Sequence, residues 1–407
     1  MGRQQPAGEA RAAGGGVIGT GSALPRRLVR NPEIAELTGV PDGWIERQLG
    51  VHQRHFAAED ETHLDFALSA ASAALGAAGL SPCELGAVVV ATSTARLRVP
   101  PVAAELQGAL RAGCAVAFDV NAGGAGFLTA LEIGRGLLTS QPHRRYALVA
   151  AVDTFSRYAD PADRRTYAAV GDGAGAVVLS GGCAEETVST GHGTDGRLAR
   201  YITLRGPGSG RPECGGANSA DGGGTSGGGT SGDPGSPGDG AAGPWLRAAG
   251  RDVAALMRQR FPELVRDAVA EAGVGLDGVD HVVAQQACPR LLEELARLAG
   301  IAPEKLVVTG DRVGDTGAAS IPVGLDTAVR QGRIRPGDTV LMVEFGAGMS
   351  WARTLLRWPS TYAPVAAARR RAEPPQARRA PPLDTGRPDT GRPDTARPDT
   401  GKGECPQ

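Results

Sequence analysis

Residues Phe118–Phe127 read FDVNAGGAGF, and the element order of the chain is clearest here. Apolar residues that end a strand lead into a turn of small residues, after which a helix begins. Small residues allow the tight backbone path that such a turn needs. Gly124 lies within the turn, so the sequence offers no side chain for chemistry at this point.

Outward from this turn, one helix–strand unit occurs twice. In each copy an apolar pattern with a period of about 3.6 residues precedes a short β-branched run. The first copy predicts a helix at Leu64–Leu80 and a strand at Ala87–Ser93. The second predicts a helix at Pro262–Val274 and a strand at His281–Ala287. The repeat indicates two related halves.

Two later stretches extend the repeat. DGAGAVVLS (Asp172–Ser180) and FGAGMSWARTLL (Phe345–Leu356) each place glycines at a turn before an alternating strand. Two copies of one αβ unit predict a pseudo-symmetric α/β domain rather than two unrelated domains. Near-continuous apolar runs such as YALVAAV (Tyr146–Val152) predict central strands that helices cover on both faces.

Composition excludes several classes of protein. The 407 residues carry a formal net charge of −1, so no charge excess steers the chain toward nucleic acid. The six cysteines lack CxxC spacing, which argues against a metal site or disulfide framework and favours a cytoplasmic location. No apolar stretch approaches the roughly 18 residues of a membrane helix, and we expect no membrane contact. We expect solvated side chains for the histidines without ligand spacing, which are His52, His55, His63 and His192.

Three segments have compositions that do not build a core. Residues 1–14 form a polar tail, residues 206–243 a Gly/Ser-rich insertion, and residues 359–407 a Pro/Arg-rich tail that ends in a repeat. We predict that all three are disordered, because few large apolar groups offset the entropy of ordering. The rest divides into an N-terminal half, 15–185, and a C-terminal half, 186–358, that contains the insertion. A docking role for the final tail is a hypothesis without a motif.

Six stretches together resemble the β-ketoacyl-acyl-carrier-protein synthase III family. They occur in the family's order and are VIGTGSALPRRLVRN (Val17–Asn31), DGWIERQLGVHQRHFA (Asp42–Ala57), AFDVNAGGAGF (Ala117–Phe127), YADPADRRTYAAVGDGAGAVVLS (Tyr158–Ser180), GDTGAASIPVGLD (Gly314–Asp326) and EFGAGMSWARTLLRW (Glu344–Trp358). The resemblance implies the five-layered αβαβα thiolase-like fold and a dimer. It also implies a tunnel for the phosphopantetheine arm of coenzyme A or an acyl carrier protein. The expected substrate is therefore an acyl thioester, and no cofactor is expected.

The family's condensing chemistry uses a cysteine, a histidine and an asparagine, and other residues occupy the matching positions here. They are Gly124, Gln285 and Asp315, respectively. Gly124 cannot form an acyl-enzyme. Gln285 keeps an amide donor that could polarise a carbonyl, but it cannot carry a proton near neutral pH. An ionised Asp315 would repel a malonyl carboxylate. The resemblance therefore implies a divergent member for which decarboxylative condensation is not expected.

The substrate-binding positions of the family are partly present. Trp44 matches a tryptophan that stacks on adenine, and Arg164 matches an arginine on the other side of that base. Arg290 matches an arginine at the tunnel rim that meets the pantetheine phosphate or the carrier protein. The family's second arginine is Gln48 here, which weakens the case for coenzyme A. A large aromatic that a neighbouring subunit offers to the tunnel corresponds to Val99, which suggests an altered acyl pocket.

Three functional readings follow. The first, which we favour, is acyl transfer to an oxygen or nitrogen nucleophile, with Asp315 as general base and Gln285 plus backbone amides near Gly124 as oxyanion donors. The second is a catalytically silent subunit that pairs with an active paralogue or serves as a carrier-protein-binding scaffold. The third makes Cys288 the nucleophile, because it precedes Pro289 at a predicted helix start, where the pKa of a thiol would fall. Against these, Cys288 could be a small buried residue, and Asp315 could be a structural cap or pair with Arg312.

Overall fold

The computed structural model describes residues 16–41, 43–181, 187–204 and 245–359. All of them belong to one unit, Met1–Ala366. The disorder predicted for 1–14, 206–243 and all but the first residue of 359–407 falls outside the described residues. The division into halves at 185/186 falls between two described ranges and stays a prediction.

Fourteen strands and ten α-helices occur within these ranges. The strands are β1 (Gly16–Ala23), β2 (Arg27–Arg30), β3 (Gln53–Phe56), β4 (Leu85–Ala91), β5 (Val116–Val120), β6 (Tyr146–Thr154), β7 (Asp172–Ser180), β8 (Thr187–Thr194), β9 (Ile202–Leu204), β10 (Leu246–Ala248), β11 (His281–Ala284), β12 (Leu306–Val307), β13 (Thr339–Gly346) and β14 (Ser350–Arg357). The helices are α1 (Asn31–Thr38), α2 (Trp44–Leu49), α3 (His63–Ala78), α4 (Val102–Leu110), α5 (Gly126–Ser140), α6 (Arg164–Ala169), α7 (Gly250–Glu271), α8 (Pro289–Leu298), α9 (Gly310–Val313) and α10 (Ser320–Arg330).

Two five-stranded sheets share one topology. The first has the order β1-β7-β6-β4-β5 and the second, read from its other edge, β8-β14-β13-β11-β12. In both sheets the last three strands of this order are parallel to one another. The second strand pairs antiparallel with both of its neighbours. The helices also correspond, because α3 precedes β4 as α7 precedes β11, and α5 precedes β6 as α10 precedes β13. The predicted pseudo-symmetry is confirmed.

The elements stack in five layers. α3 and α4 cover the outer face of the first sheet, α5 and α10 lie between the sheets, and α7 and α8 cover the outer face of the second. Strand β4 shows why: Val88 and Val90 pack against the outer helices, whereas Val89 and Ala91 face the middle layer. Both faces of the central strands are therefore apolar, which explains their continuous hydrophobic runs. The αβαβα thiolase-like prediction is confirmed.

Most predicted boundaries agree with the structure within a few residues, and α7 is the exception. Helix α3 begins with a capping box between Thr62 and Asp65 and ends before Gly79, whose φ is +66°. Helix α7 begins at Gly250 rather than at the predicted Pro262, which lies inside it. A buried stripe runs through the proline, and this packing outweighs the proline's local preference. The stripe comprises Met257, Phe261, Leu264, Val265 and Ala268.

A smaller lobe forms one wall beside the sheets. Strands β2 and β3 pair with each other, as do β9 and β10. Their apolar residues pack with those of α1, α2 and α6 in a separate cluster that includes Val29, Ile34, Ile45, Phe56 and Leu246. This lobe carries several residues of the cavity described below.

Glu344 is a buried carboxyl group in the centre of the molecule. It is 0% exposed, and its Oε2 accepts a hydrogen bond of 2.8 Å from the backbone N–H of Leu128, in the first turn of α5. Its Oε1 has no hydrogen-bond partner among the described residues. Burial raises the pKa of Glu344 well above its ordinary value. A protonated Glu344 would cap α5 without adding a charge to the interior.

Replacing Glu344 with glutamine is expected to stabilise the protein at pH 8. A raised folded-state pKa means that the folded state holds more protons than the unfolded state between the two pKa values. The contribution of Glu344 is therefore fully present below its unfolded pKa and is lost as the pH rises toward the folded pKa. Urea unfolding between pH 5 and 8 should show the advantage of Glu344→Gln growing with pH. A constant difference across this range would contradict the argument.

Candidate active site

One cavity of about 480 Å³ opens between the smaller lobe and the sheets. Its floor is formed where strands end: Ser93 follows β4, Gly124 follows β5 and Gln285 follows β11. Asp315, after α9, lines the same floor, as does Phe345 near the end of β13. The volume lies in the range of small-molecule pockets, about 300–1,000 Å³. The structure therefore brings the three predicted catalytic positions into one site.

Gly124 is packed against the main chain of the facing loop. A Cβ atom built on it would lie closer than 3.0 Å to the carbonyl oxygen of Phe345, a separation that real Cβ atoms essentially never show. The same atom would lie 3.2 Å from Nε2 of Gln285. Gly346 makes the reciprocal approach, because its own Cβ would collide with the carbonyl oxygen of Ala122. The two loops touch through backbone atoms, and only glycine fits at Gly124 without a shift.

Gln285 and Asp315 form a direct pair. Nε2 of Gln285 donates to Oδ1 of Asp315 at 3.1 Å and to the carbonyl oxygen of Gly317 at 3.3 Å. The backbone N–H of Gly317 donates to the same Oδ1 at 2.9 Å. Both N–H groups of the Gln285 amide are thus engaged inside the protein. The predicted role of this amide as an oxyanion donor does not fit this geometry.

The main chain holds Asp315 in place. Its backbone N–H donates to the carbonyl oxygen of Ala169 at 2.8 Å, and its carbonyl oxygen accepts from the N–H of Gly171 at 2.8 Å. The alternative pairing of Asp315 with Arg312 is wrong, because the carboxylate that approaches Arg312 is that of Asp311, at 3.7 Å. Asp315 therefore faces the cavity from a fixed backbone.

Two carboxyl groups with raised pKa values lie at or beneath this floor. Burial raises the pKa of Asp315, against the lowering effect of hydrogen bonds from Gly317 and Gln285. Asp153, at the end of β6, is 0% exposed and accepts from the backbone N–H groups of Ser93 and Ala318, at 2.8 and 2.9 Å. Burial raises the pKa of Asp153 to about 7, and the charge of Asp315 adds to this rise. The floor is thus acidic in character.

Cationic groups line the rim, and Trp44 lies beside one of them without lining the cavity itself. Cζ of Arg165 lies 6.0 Å from the centroid of the Trp44 ring, and Arg165 lines the cavity. Arg164 begins α6 and is not one of the lining residues, so its assignment stays a prediction and Arg165 is the better placed guanidinium. Gln48 and Arg290 also line the cavity, and Nη1 of Arg290 lies 3.3 Å from Oε2 of Glu293.

Val99 lies on the loop between β4 and α4. The residue is 80% exposed, more than any other large apolar residue in the described ranges. Leu97 on the same loop and Val116 at the start of β5 are each 37% exposed. Strand β5 is also an edge of its sheet. An apolar surface therefore borders an open strand edge at this end of the first sheet.

Cys288 is half-buried and does not have the predicted low thiol pKa. Burial raises its pKa, and this effect exceeds the lowering by the backbone N–H groups of Leu291 and Arg290 at the start of α8. Its Sγ donates to the carbonyl oxygen of Leu49 at 3.3 Å. The expected fall in pKa is wrong because desolvation of the thiolate outweighs the helix terminus.

Cys288 is expected to react more slowly with iodoacetamide than Cys83 and Cys114. The latter two are exposed, whereas the thiol of Cys288 is half-buried with a raised pKa. Peptide-resolved mass spectrometry of a labelling time course at pH 8 measures the three rates together. Faster labelling of Cys288 than of either exposed cysteine would restore it as a candidate nucleophile.

Several other predicted features can be compared with the described ranges. There, no group of three or more His, Cys, Asp or Glu residues could hold a metal ion. Within the same ranges, none of the helices has the length and hydrophobicity that crossing a membrane requires. The expectation of a solvated His63 is wrong, because it is 4% exposed at the start of α3, with Nε2 lying 3.7 Å from Oε2 of Glu105.

Comparison with known proteins relates this chain and its fold to the ketosynthases. Residues 118–196 match the family described as 3-Oxoacyl-[acyl-carrier-protein (ACP)] synthase III, and residues 269–358 match its C-terminal part. β-Ketoacyl-[acyl-carrier-protein] synthase III of Rhizorhabdus wittichii is 37% identical over 84% of this chain and 98% of its own. An acetoacetyl CoA synthase of a Streptomyces species shows the same identity and coverage.

Solved structures agree with these matches. The 3-oxoacyl-(acyl carrier protein) synthase III of Pseudomonas aeruginosa superposes with a TM-score of 0.73 and 34% identity, covering 85% of this chain and 98% of the other. A priming β-ketosynthase from a polyketide biosynthetic pathway gives a TM-score of 0.72 and 28% identity, with coverage of 87% and 99%. The fold is the thiolase-like fold of condensing enzymes. The chain belongs to the 3-oxoacyl-[acyl-carrier-protein] synthase III family.

Several residues at or beneath the site were absent from the sequence-based assignment, among them Asp153, Ser93 and Arg165. Asp153 and Ser93 follow or end buried strands of the first sheet, where a polar residue at the carboxyl end is a usable signal. Arg165 differs from the predicted Arg164 by one position in a short helix. The sequence contains no signal that separates these two arginines.

Proposed function

We propose that this protein binds an acyl thioester and transfers the acyl group directly to a nucleophile, without a cysteine acyl-enzyme. The observation that carries the proposal is the open cavity, which joins the cationic rim to Asp315 and Gly124. A site that had lost its substrate would gain stability by filling this space with side chains. The names of its relatives support fatty-acid or polyketide metabolism as the context.

The acyl donor would enter along the rim. Arg165 and Arg290 offer positive charge to the phosphates of coenzyme A or of a carrier-bound phosphopantetheine. Trp44, next to Arg165, offers a ring for the adenine. Gln48 supplies no charge, which favours an acyl carrier protein over free coenzyme A as the donor. The acyl chain would occupy the apolar part of the cavity, near Phe155 and Met257.

At the floor, Asp315 is the general base. Its raised pKa places its ionisation closer to neutral pH than that of an ordinary aspartate. The attacking group gives its proton to Asp315, the C–S bond breaks, and the thiolate leaves with that proton. The main-chain N–H of Gly124, at the positive end of the α5 dipole, would hold the oxyanion, because the N–H groups of Ala125 and Gly126 donate to carbonyl oxygens within the turn. A neutral Glu344 under α5 would leave this dipole uncompensated.

Decarboxylative condensation does not suit these residues. Such a reaction brings a malonyl carboxylate to the floor. An ionised Asp315 would repel that carboxylate, and the buried Asp153 is a second acidic group nearby. Gly124 offers no atom for an acyl-enzyme, and its packing leaves no room for one. We therefore propose that this chain is a divergent family member that has no condensing activity.

The test uses intact protein, carrier-bound and coenzyme A thioesters, and candidate acceptors. Release of free thiol only when an acceptor is present, with no acyl mass added to the protein, is the expected result. A stable acyl adduct on the protein would contradict direct transfer. Loss of that adduct in Cys288→Ala would then identify Cys288 as the nucleophile.

A non-catalytic subunit is the second candidate. The exposed Val99 and Leu97 beside the open edge of β5 favour a partner copy or paralogue on this surface. We propose a homodimer that pairs through β5, and analytical ultracentrifugation that finds a monomer would contradict it. Stable capture of an active paralogue, together with absence of any turnover, would favour the silent subunit or carrier-protein-binding scaffold.

A further inference from the structure

Asp153 is fully buried beneath the floor and is not one of the residues that line the cavity. Its two oxygens accept hydrogen bonds from two distant segments of the chain. Oδ1 accepts from the backbone N–H of Ser93 at 2.8 Å and from the hydroxyl of Thr94 at 3.0 Å. Oδ2 accepts from the backbone N–H of Ala318 at 2.9 Å. The side chain therefore joins the segment after β4 to the turn before α10.

That turn, Gly317–Ala319, carries the polar groups of the floor. The backbone N–H of Gly317 donates to Oδ1 of Asp315 at 2.9 Å, and its carbonyl oxygen accepts from Nε2 of Gln285 at 3.3 Å. Both side chains thus take their orientation from one residue of the main chain. The next N–H along the chain is the one that donates to Asp153. The buried carboxylate therefore holds the residue that orients the site.

Close packing strengthens this connection. Gly317 has a φ of +58°, and a Cβ atom built on it would collide with Oδ2 of Asp153 and lie 2.6 Å from the ring of Phe155. The main chain of the turn therefore lies directly against the carboxyl group to which it is also hydrogen-bonded. A change at Asp153 would reach Gly317 without passing through any other side chain.

Burying a carboxyl group at this place carries an energetic cost. Burial raises the pKa of Asp153 to about 7, because the charged form is poorly solvated. An apolar side chain would fill the same space without that cost, but it would leave two main-chain N–H groups without an acceptor. At pH 8 the ionised carboxylate only accepts hydrogen bonds, which suits the N–H groups of Ser93 and Ala318.

We infer that Asp153 is a positioning residue, which orients Asp315 and Gln285 by anchoring the turn Gly317–Ala319. It acts on catalysis through Asp315, and this effect on turnover rests on the proposed acyl transfer, whereas the anchoring itself is independent of turnover. Loss of the anchor should lower kcat and leave thioester binding unchanged. The cationic residues that would hold the donor, Arg165 and Arg290, lie at the rim.

Hydrogen exchange of the full-length protein tests the anchor directly. In Asp153→Asn the side chain has one oxygen, which can face either Ser93 and Thr94 or Ala318. Facing the first pair keeps two hydrogen bonds, so we expect the N–H of Ala318 to lose its acceptor. Mass spectrometry at pH 8 should show peptides that cover residues 316–319 exchanging about 5- to 100-fold faster than in the wild type.

Asp119→Asn is the matched control. Asp119 also accepts two backbone N–H groups, those of Val102 and Ala103, each at 2.8 Å. These groups begin α4 on the outer face of the first sheet, so the same substitution should leave both kcat and the exchange of residues 316–319 unchanged. Wild-type exchange of 316–319 in Asp153→Asn overturns the inference. An equal acceleration there in Asp119→Asn overturns it as well.

A double-mutant cycle tests whether Asp153 acts through Asp315. Asp153→Asn alone is expected to lower kcat by about 10- to 100-fold, with KM for the thioester within about 2-fold of the wild type, because a small misplacement of a catalytic group has effects of this size. Adding it to Asp315→Asn, where the base is already absent, should change kcat by less than about 2-fold. Losses that multiply in the double variant, or a raised KM at unchanged kcat, overturn the positioning role.

Thr94→Val takes the place of Asp153→Asn if that variant does not fold. Valine keeps the shape of threonine but removes the hydroxyl that donates to Oδ1. We expect exchange of residues 316–319 to rise by about 2- to 10-fold, and wild-type exchange overturns the inference.

The outcomes separate the two proposals. If no acceptor consumes the thioester, acyl transfer fails, while faster exchange of residues 316–319 in Asp153→Asn still supports the anchor. Turnover in the wild type together with unchanged exchange in Asp153→Asn leaves acyl transfer intact and overturns the anchor.

Discussion

Asp315→Asn is expected to lower kcat for acyl transfer by about 10²- to 10⁴-fold, the usual effect of removing a general base. Asparagine has nearly the same shape, and its carbonyl oxygen can still accept from Gln285 and Gly317. The cavity and the donor site should therefore remain intact, and the loss falls on proton transfer. The wild-type rate should rise with pH through the raised pKa of Asp315, because only the ionised form is a base.

The measurement is kcat over pH 4–9 with saturating thioester and acceptor. Asp60→Asn serves as the matched control, because Asp60 is an exposed residue paired with Arg26 far along the chain from the floor. We expect its profile to equal that of the wild type. Equal turnover in Asp315→Asn, or a pH limb that persists in this variant, would remove Asp315 from the role of base.

Gly124→Cys is expected to lower the free energy of unfolding by about 1–3 kcal/mol, the typical effect of overpacking, and to form no acyl-enzyme. The new Cβ would meet the carbonyl oxygen of Phe345, which belongs to the main chain and cannot rotate away. Relief requires the loop after β13 to move. A shifted sulfur would also lack a histidine, because Gln285 cannot take its proton.

Urea unfolding and intact-mass analysis after incubation with acyl thioester test this prediction together. Gly136→Cys is the matched control, since it makes the same change on exposed α5 where nothing lies within 4 Å of an added Cβ. We expect it to fold as stably as the wild type. A Gly124→Cys protein of unchanged stability, or one that accumulates an acyl adduct, would contradict the account of the closed turn.

The sequence predicted the layers well because they depend on local and repeated signals. Alternating apolar residues in β4 pack on both faces, so the pattern and the layer order have one cause. The three predicted catalytic positions were placed through the family's motifs, and the structure does bring them to one floor. Helix α7 was predicted too short, because Pro262 is a local stop signal that the buried stripe overrides.

Features that depend on tertiary contacts were not predictable from the sequence. The direction of the Gln285 amide follows from the carbonyl of Gly317, a residue that is distant in the chain. The pKa of Cys288 rises because the surrounding chain buries it, although its helix position alone favours a fall. The same holds for Asp153, whose burial beside Asp315 appears in no motif.

The backbone contact between the Gly124 turn and the loop after β13 also constrains how the sequence can vary. In this structure a larger residue at this position would collide with main-chain atoms, so replacing glycine requires the facing loop to shift. A descendant that regained a thiol would need a compensating change in the opposite loop, and intermediates with only one change would be less stable. The packing of this turn would therefore oppose a single-step return of the thiol independently of any selection on turnover.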